Sequence, residues 1–179
     1  MNDNEYLKWI MLSIKNRSAF NSDFRVTKAK EQSEMEPVSK EKIVKHVNEF
    51  LQLIDIEAVS NPVVNLKNTE KRRIDYANIA QKNQLKDRAD IVWIKFTTDG
   101  YISVIGTSCD ISFSNKTKGK TSSGHIIEKL GKEWDDSLVL IFPLKNIPHN
   151  LNRSDIESGI GNYLISKKVP ILDFYSHNY

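Results

Sequence analysis

The chain has 179 residues, with 26 Lys and Arg against 23 Asp and Glu for a net charge of +3. That length suits one domain with a real core, and so small a surplus is compatible with nucleic-acid binding without arguing for it. No apolar run approaches the roughly 20 residues of a membrane span, MNDNEYLKW does not read as a signal peptide, and the lone Cys109 excludes an internal disulfide, so a reducing, cytoplasmic setting is expected.

In chain order, residues 4–16 read as a helix, because Leu7, Ile10, Met11 and Ile14 recur at helical spacing. Residues 17–37 are polar, show no periodicity and end at Pro37, which predicts a long loop or mobile linker, or else a binding arm. Ser39 is a candidate cap for a helix to about residue 56, with Ile43, Val47, Phe50, Leu51 and Ile54 on one face. Residues 63–66 form a short strand after Pro62. Residues 69–84 suit a third helix capped by Thr69, with Ile74, Ala77 and Ala80 as a weak stripe.

The most ordered stretch is Asp90–Phe113. Ile91–Phe96 and Tyr101–Ile105 are rich in β-branched and aromatic residues, and Asp99-Gly100 between them predicts a two-residue type I′ turn. That turn sets Thr98 opposite Tyr101, Phe96 opposite Ser103, Ile94 opposite Ile105 and Asp90 opposite Cys109. Asp110 then lies diagonal to Asp90, on the other face of a regular ladder. A bulge at Gly106 would bring the two carboxylates to one face.

Ser114–Ser123 is a Lys/Ser/Thr/Gly loop, and residues 124–134 suit a helix with Ile126, Ile127, Leu130 and Trp134 inward. Ser137–Phe142 is a near-continuous apolar run, as in a strand buried on both faces. Ser154-Asp-Ile-Glu157 fits a capping box opening a helix with Ile156, Ile160, Tyr163 and Leu164 on one side. Val169–Phe174 is the expected last strand. The predicted fold is α/β (mixed α+β), one domain over 1–179. Residues 1–57 supply N-terminal helices with the polar linker at 17–37. Residues 61–179 supply a mixed sheet of four to six strands with a central hairpin and helices on both faces. The β and α alternation at the C-terminal end predicts parallel pairing there.

Several chemistries are excluded by pattern. There is no Gly-rich phosphate loop, no nucleophile elbow, and no metal-ligand spacing among His46, His125, His149 and His177. Cys109 reads as a small buried hydrophobe. Lys67–Arg88 carries seven basic residues against three acidic ones. Lys71, Arg72, Arg73 and Lys82, with Lys86 and Arg88, are candidates to neutralise phosphates, and Lys116, Lys118 and Lys120 form a second basic cluster. The same residues also read as a solvated helix face and a soluble loop. Asp155 and Glu157 read as helix N-terminal acids, and Asp173, Tyr175 and His177 as a polar cluster.

A polar helix with Glu70, then Ala89-Asp90 opening the strand DIVWI, then the strand YISVIGTS, resembles the PD-(D/E)XK nuclease core of type II restriction endonucleases over about residues 69–142. The resemblance implies a Mg²⁺-dependent DNA phosphodiesterase, commonly a homodimer. Asp90 would match the first acid, Asp110 and Glu70 would be further metal ligands, and Lys95 or Lys116 would orient water or steady the phosphate. The sequence departs from the family where Ser103-Val104-Ile105 stands in place of (D/E)-x-K. The alternative is a non-catalytic nucleic-acid- or protein-binding module, such as a regulatory or immunity-type partner.

Overall fold

The computed structural model describes residues 22–66, 74–87, 90–107 and 122–174. In chain order these form α1 (Ser22–Ser33), α2 (Lys40–Leu53), β1 (Val63–Asn65), α3 (Tyr76–Asn83), β2 (Ile91–Thr97), β3 (Ile102–Thr107), α4 (Ser122–Lys129), β4 (Trp134–Pro143) and α5 (Arg153–Ser166). The expected α/β class, the strand count and the helices on both faces are all found. The predicted helix over 4–16 lies outside the described residues.

The sheet order is β1-β4-β2-β3, and every neighbouring pair is antiparallel. β3 and β4 therefore run the same way with β2 between them, and β1 and β2 run the same way with β4 between them. Two split β-α-β units are interleaved, and their crossover helices α3 and α4 pack on one face. The parallel pairing expected from the βα alternation is thus present as strand direction but not as adjacency. The one parallel pairing described is a single bridge, Ile102 to Ile171.

Side-chain alternation along the strands sorts the core into two layers. Val92, Ile94, Phe96, Ile105, Leu140 and Phe142 face α2 and α5, which contribute Ile43, Val47, Leu51, Ile156, Ile160 and Leu164. On the other face Ile91, Val139 and Ile141 meet Leu66 and Tyr76 beside α3. Val104, Trp134 and Leu172 meet Ile127 of α4. Fully buried side chains such as Phe96 and Phe142 each stabilise the fold by about 1.5–3 kcal/mol relative to exposure. Because both faces of β4 are covered, Val139–Phe142 is apolar without interruption, as its sequence predicts.

The hairpin departs from its predicted form in two places that cancel. Gly100 adopts φ +92°, Asp99 stays out of the left-handed region, and Gly100 N–H donates to Thr97 O (2.9 Å). The loop is therefore a type I turn plus a left-handed glycine, three residues instead of two. This sets Phe96 opposite Ile102 in place of Ser103. A bulge at Ser103 then inserts one residue, so Lys95 meets Val104 and Ile94 meets Ile105 as expected. The bulge sits at Ser103 and not at Gly106, which pairs regularly with Trp93. A Cβ at Gly106 would lie 2.3 Å from the Trp93 ring, so glycine is there to admit the indole.

Four other expectations are corrected. Within the supposed linker 17–37, residues 22–33 are helix α1. It is held by buried Ala29, by an Arg25–Asp173 ion pair (Nη2 to Oδ2, 2.6 Å) and by Ile171 N–H donating to Gln32 Oε1 (3.2 Å). The capping box of α5 is Asn152 with Asp155, not Ser154 with Glu157: Asn152 Oδ1 accepts from Ser154 N–H and Asp155 N–H, and Asp155 Oδ2 accepts from Asn152 N–H. Glu157 lies on the inner side of α5, where it accepts from Thr107 Oγ1 (2.9 Å). The last segment is a bridge and turn instead of a strand, since Lys168 takes φ +60° and Pro170 has no N–H to give a ladder. Trp134 opens β4 and does not belong to the preceding helix, which ends at Lys129.

Candidate functional site

Asp90 stands where β2 begins. Its C=O accepts from Leu144 N–H (2.8 Å), so the β2–β4 ladder extends one residue past Ile91. Its N–H donates to Asp87 O (3.0 Å), on the segment after α3. The half-buried Asp90 thereby sits at the open end of the sheet, between three pieces of chain.

The first piece is the C-terminal turn of α3. Asp75 caps that helix by accepting from Asn78 N–H (2.9 Å), and Gln84 ends it with φ +55°. The second is Leu144–Ile147, the loop leaving β4, where Asn146 has φ +57°. The third is the start of α5. Two adjoining clefts result. One is lined by Lys82, Asn83, Gln84, Lys86, Asp90 and Lys145 among others. Its neighbour is lined by Asp90, Ile147, Asn152, Arg153, Ser154 and Asp155 among others. Asp90 and Ile147 belong to both, so they form one groove across the end of the sheet.

The chemistry of this groove is basic and amide-rich. Lys82, Lys86, Lys145 and Arg153 supply cationic groups. Asn83, Gln84, Asn146 and Asn152 supply amides, although Asn152 is engaged in capping. Asp90 and Asp155 are the acids, and Asp155 is committed to the capping box. Gln84 and Asn146, two of the four described non-glycine residues with positive φ, both line it. Such sparsely populated backbone conformations cluster at functional sites.

Among the residues predicted for a site, Asp90, Lys82 and Lys86 are brought together. Lys95 is not. It lies five positions beyond Asp90, about 17 Å along a strand. Its ammonium is nearly buried over the Trp134 ring, 4.3 Å from the centroid, toward the closed end of the hairpin. Lys95 therefore belongs to the core and not to an Asp90 site. Glu70, Lys71, Arg72, Arg73, Asp110, Lys116, Lys118 and Lys120 lie outside the described residues, as do Arg88, Cys109, Tyr175 and His177. Asp173, expected in a C-terminal polar cluster, has a fully buried side chain that accepts from Arg25 Nε (3.1 Å) and Nη2 (2.6 Å).

Among the described residues no group of three or more His, Cys, Asp or Glu side chains is placed to hold a metal ion. His46, away from this groove on α2, places Nδ1 2.8 Å from Glu49 Oε2. That hydrogen bond holds the Glu49 carboxyl below its ordinary value.

Lys145 and Arg153 have no place in the predicted site. The available signal was local: Lys145-Asn146 follows directly on a buried strand, where a loop at the end of a sheet is the usual position for binding residues. No helix among the described residues is long and apolar enough to cross a membrane. No protein-family model, no curated protein and no solved structure matches the chain.

Proposed function

We propose that this protein binds nucleic acid, with duplex DNA as the expected ligand, through the groove at the open end of the sheet. The supporting observation is that Lys145 joins Lys82 and Lys86, from a distant part of the chain, around one polar cleft with Asn83, Gln84 and Asn146. Lysines at such a cleft neutralise phosphates and release counterions. Amide side chains offer hydrogen bonds to phosphates, sugars or base edges. The single Cys109 accords with action in a reducing, cytoplasmic compartment.

The test is a titration of labelled mixed-sequence duplex DNA at several salt concentrations, comparing wild type with Lys82→Ala/Lys86→Ala/Lys145→Ala. Wild-type affinity should fall linearly on a log–log plot against salt. The triple variant should bind at least about tenfold more weakly near 0.1 M salt, with a slope shallower by up to about 2.7 for three lost phosphate contacts. Equal affinity and slope would overturn the proposal.

A second reading, a Mg²⁺-dependent restriction-endonuclease-like phosphodiesterase, is favoured by Asp90 lying in that groove at a strand end. It requires carboxylates beyond the described residues, with Glu70 and Asp110 the candidates. Discrete cleavage of duplex DNA with Mg²⁺ or Mn²⁺, abolished by Asp90→Ala, supports it. Binding without cleavage removes it.

A further inference from the structure

Arg153 lines the groove and reaches beyond its own helix. It is the first residue of α5, yet its Nη1 lies 3.7 Å from Asp87 Oδ2, on the segment that links α3 to β2. Asp87 is tied to the site because its C=O accepts the Asp90 N–H (3.0 Å). The ion pair thus joins the start of α5, which lines the groove, to the segment beside Asp90.

The pair is weakly held. Its side chains are 43% and 57% exposed, a setting in which ion pairs add little and are screened by salt. Two first-turn amides of α5 are already taken, since Asn152 Oδ1 accepts from Ser154 N–H (2.9 Å) and Asp155 N–H (3.0 Å). The group that α5 extends toward an anion is the Arg153 guanidinium. A phosphate satisfies that planar fork better than a carboxylate oxygen 3.7 Å from one nitrogen, because it can accept two parallel short hydrogen bonds. Among the described residues the other charged groups lining the groove are Lys82, Lys86 and Lys145, which favour an incoming phosphate, and Asp90 and Asp155, which oppose it.

We infer that Asp87 occupies Arg153 as a stand-in for a nucleic-acid phosphate, so that the ligand enters the groove by exchanging with the Asp87 carboxylate on the Arg153 guanidinium. This rests on the nucleic-acid reading of the groove. It makes Asp87 a brake on affinity and Arg153 the residue through which the brake acts.

The experiment is a set of anisotropy titrations of labelled duplex DNA in about 0.1 M salt, where charges beyond about 10 Å are largely screened. The proteins are wild type, Asp87→Asn, Arg153→Gln, the Asp87→Asn/Arg153→Gln double variant, the triple lysine variant, and Glu133→Gln. Glu133 is exposed and precedes β4, at the opposite end of the sheet from Asp90, so its substitution reports the change in net charge alone. Asp87→Asn should tighten binding about two- to five-fold beyond Glu133→Gln, and the excess should vanish when Arg153 is Gln. Asp87→Ser is the second variant should the Asn form unfold. Exchange is overturned if Asp87→Asn tightens binding no more than Glu133→Gln, or if the excess survives loss of Arg153. The reading beneath it fails separately: wild type then shows no binding, or the triple lysine variant binds as wild type does.

Discussion

The two ends of the central hairpin use similar residues in opposite ways. At the closed end several charged and polar groups are spent on the fold. Thr97 Oγ1 donates to Asp99 Oδ1 (2.6 Å), and Lys132 pairs with Asp99 while lying 4.2 Å from the centroid of the Tyr101 ring. The Tyr101 hydroxyl is within hydrogen-bond distance of Ser33 O (3.0 Å) and Met35 O (2.9 Å), so it fastens the end of α1 to the turn. Asp173 N–H donates to Ser103 O (2.9 Å) while its carboxylate holds Arg25. At the open end Lys82, Lys86 and Arg153 are exposed, Lys145 is half-buried, and Arg153 meets Asp87 only at long range. Charge is structural where it is buried and paired, and is available to a ligand where it is not.

Substitutions at the closed end should therefore register as lost stability, in decreasing order. Arg25→Met leaves the buried Asp173 carboxylate without its guanidinium, and should cost about 3 kcal/mol in urea unfolding, as breaking one side of a buried pair does. Gly106→Ala, further along β3, forces a methyl into the Trp93 ring. It should cost about 1–3 kcal/mol and shift Trp93 fluorescence, with Trp93→Leu restoring part of the loss.

Asp99→Asn should cost on the order of 0.5 kcal/mol, since the side chain is half exposed. Burial raises the Asp99 carboxyl, but the hydrogen bonds from Lys132 and Thr97 outweigh it, so its value falls below the ordinary 3.8. A carboxyl depressed in the folded state adds stability that is present above its unfolded value and is lost as pH falls through the folded one. The difference between wild type and Asp99→Asn should therefore hold from neutral pH to about 5 and shrink below 3.8. By contrast, Lys82→Ala/Lys86→Ala/Lys145→Ala should leave unfolding within about 0.5 kcal/mol per site of wild type. A large loss there would erase the distinction between the ends.

Much of the fold is written in strong local signals. The stripe Ile43, Val47, Leu51, with Ser39 as cap, specifies α2 without help from elsewhere, and the apolar run of β4 announces burial on both faces. What the sequence conceals is set by tertiary contacts. Helix α1 has no continuous apolar stripe, and its Ala29, Arg25 and Gln32 contacts come from the far end of the chain. Asn152 with Asp155 has the same spacing as Ser154 with Glu157. The choice between them fits Glu157 facing inward to Thr107, which no local pattern reveals. The turn type was missed because Asp-Gly also suits a three-residue loop, and the error stayed invisible in the register because the Ser103 bulge restores it. For the site, Asp90 was legible as an acid at a strand end. Its neighbours Lys145 and Arg153 were not, since they arrive more than 50 residues later through the path of β4.

That path also shapes how the molecule assembles. In the described sheet only β2 and β3 are joined by a tight turn, so their pairing is local and forms on the scale of about 1–10 µs. Every other rung waits for β4: Val63 pairs with Leu140, and Ile91 with Pro143. Pairings of such long sequence separation must meet the loop-closure entropy before they return any stability. During synthesis the β1 and β2 edges therefore remain open until residue 143 has emerged. The described sheet becomes complete in one late step, when the last central strand slides between its two neighbours, and the groove closes only after α5 has docked behind it.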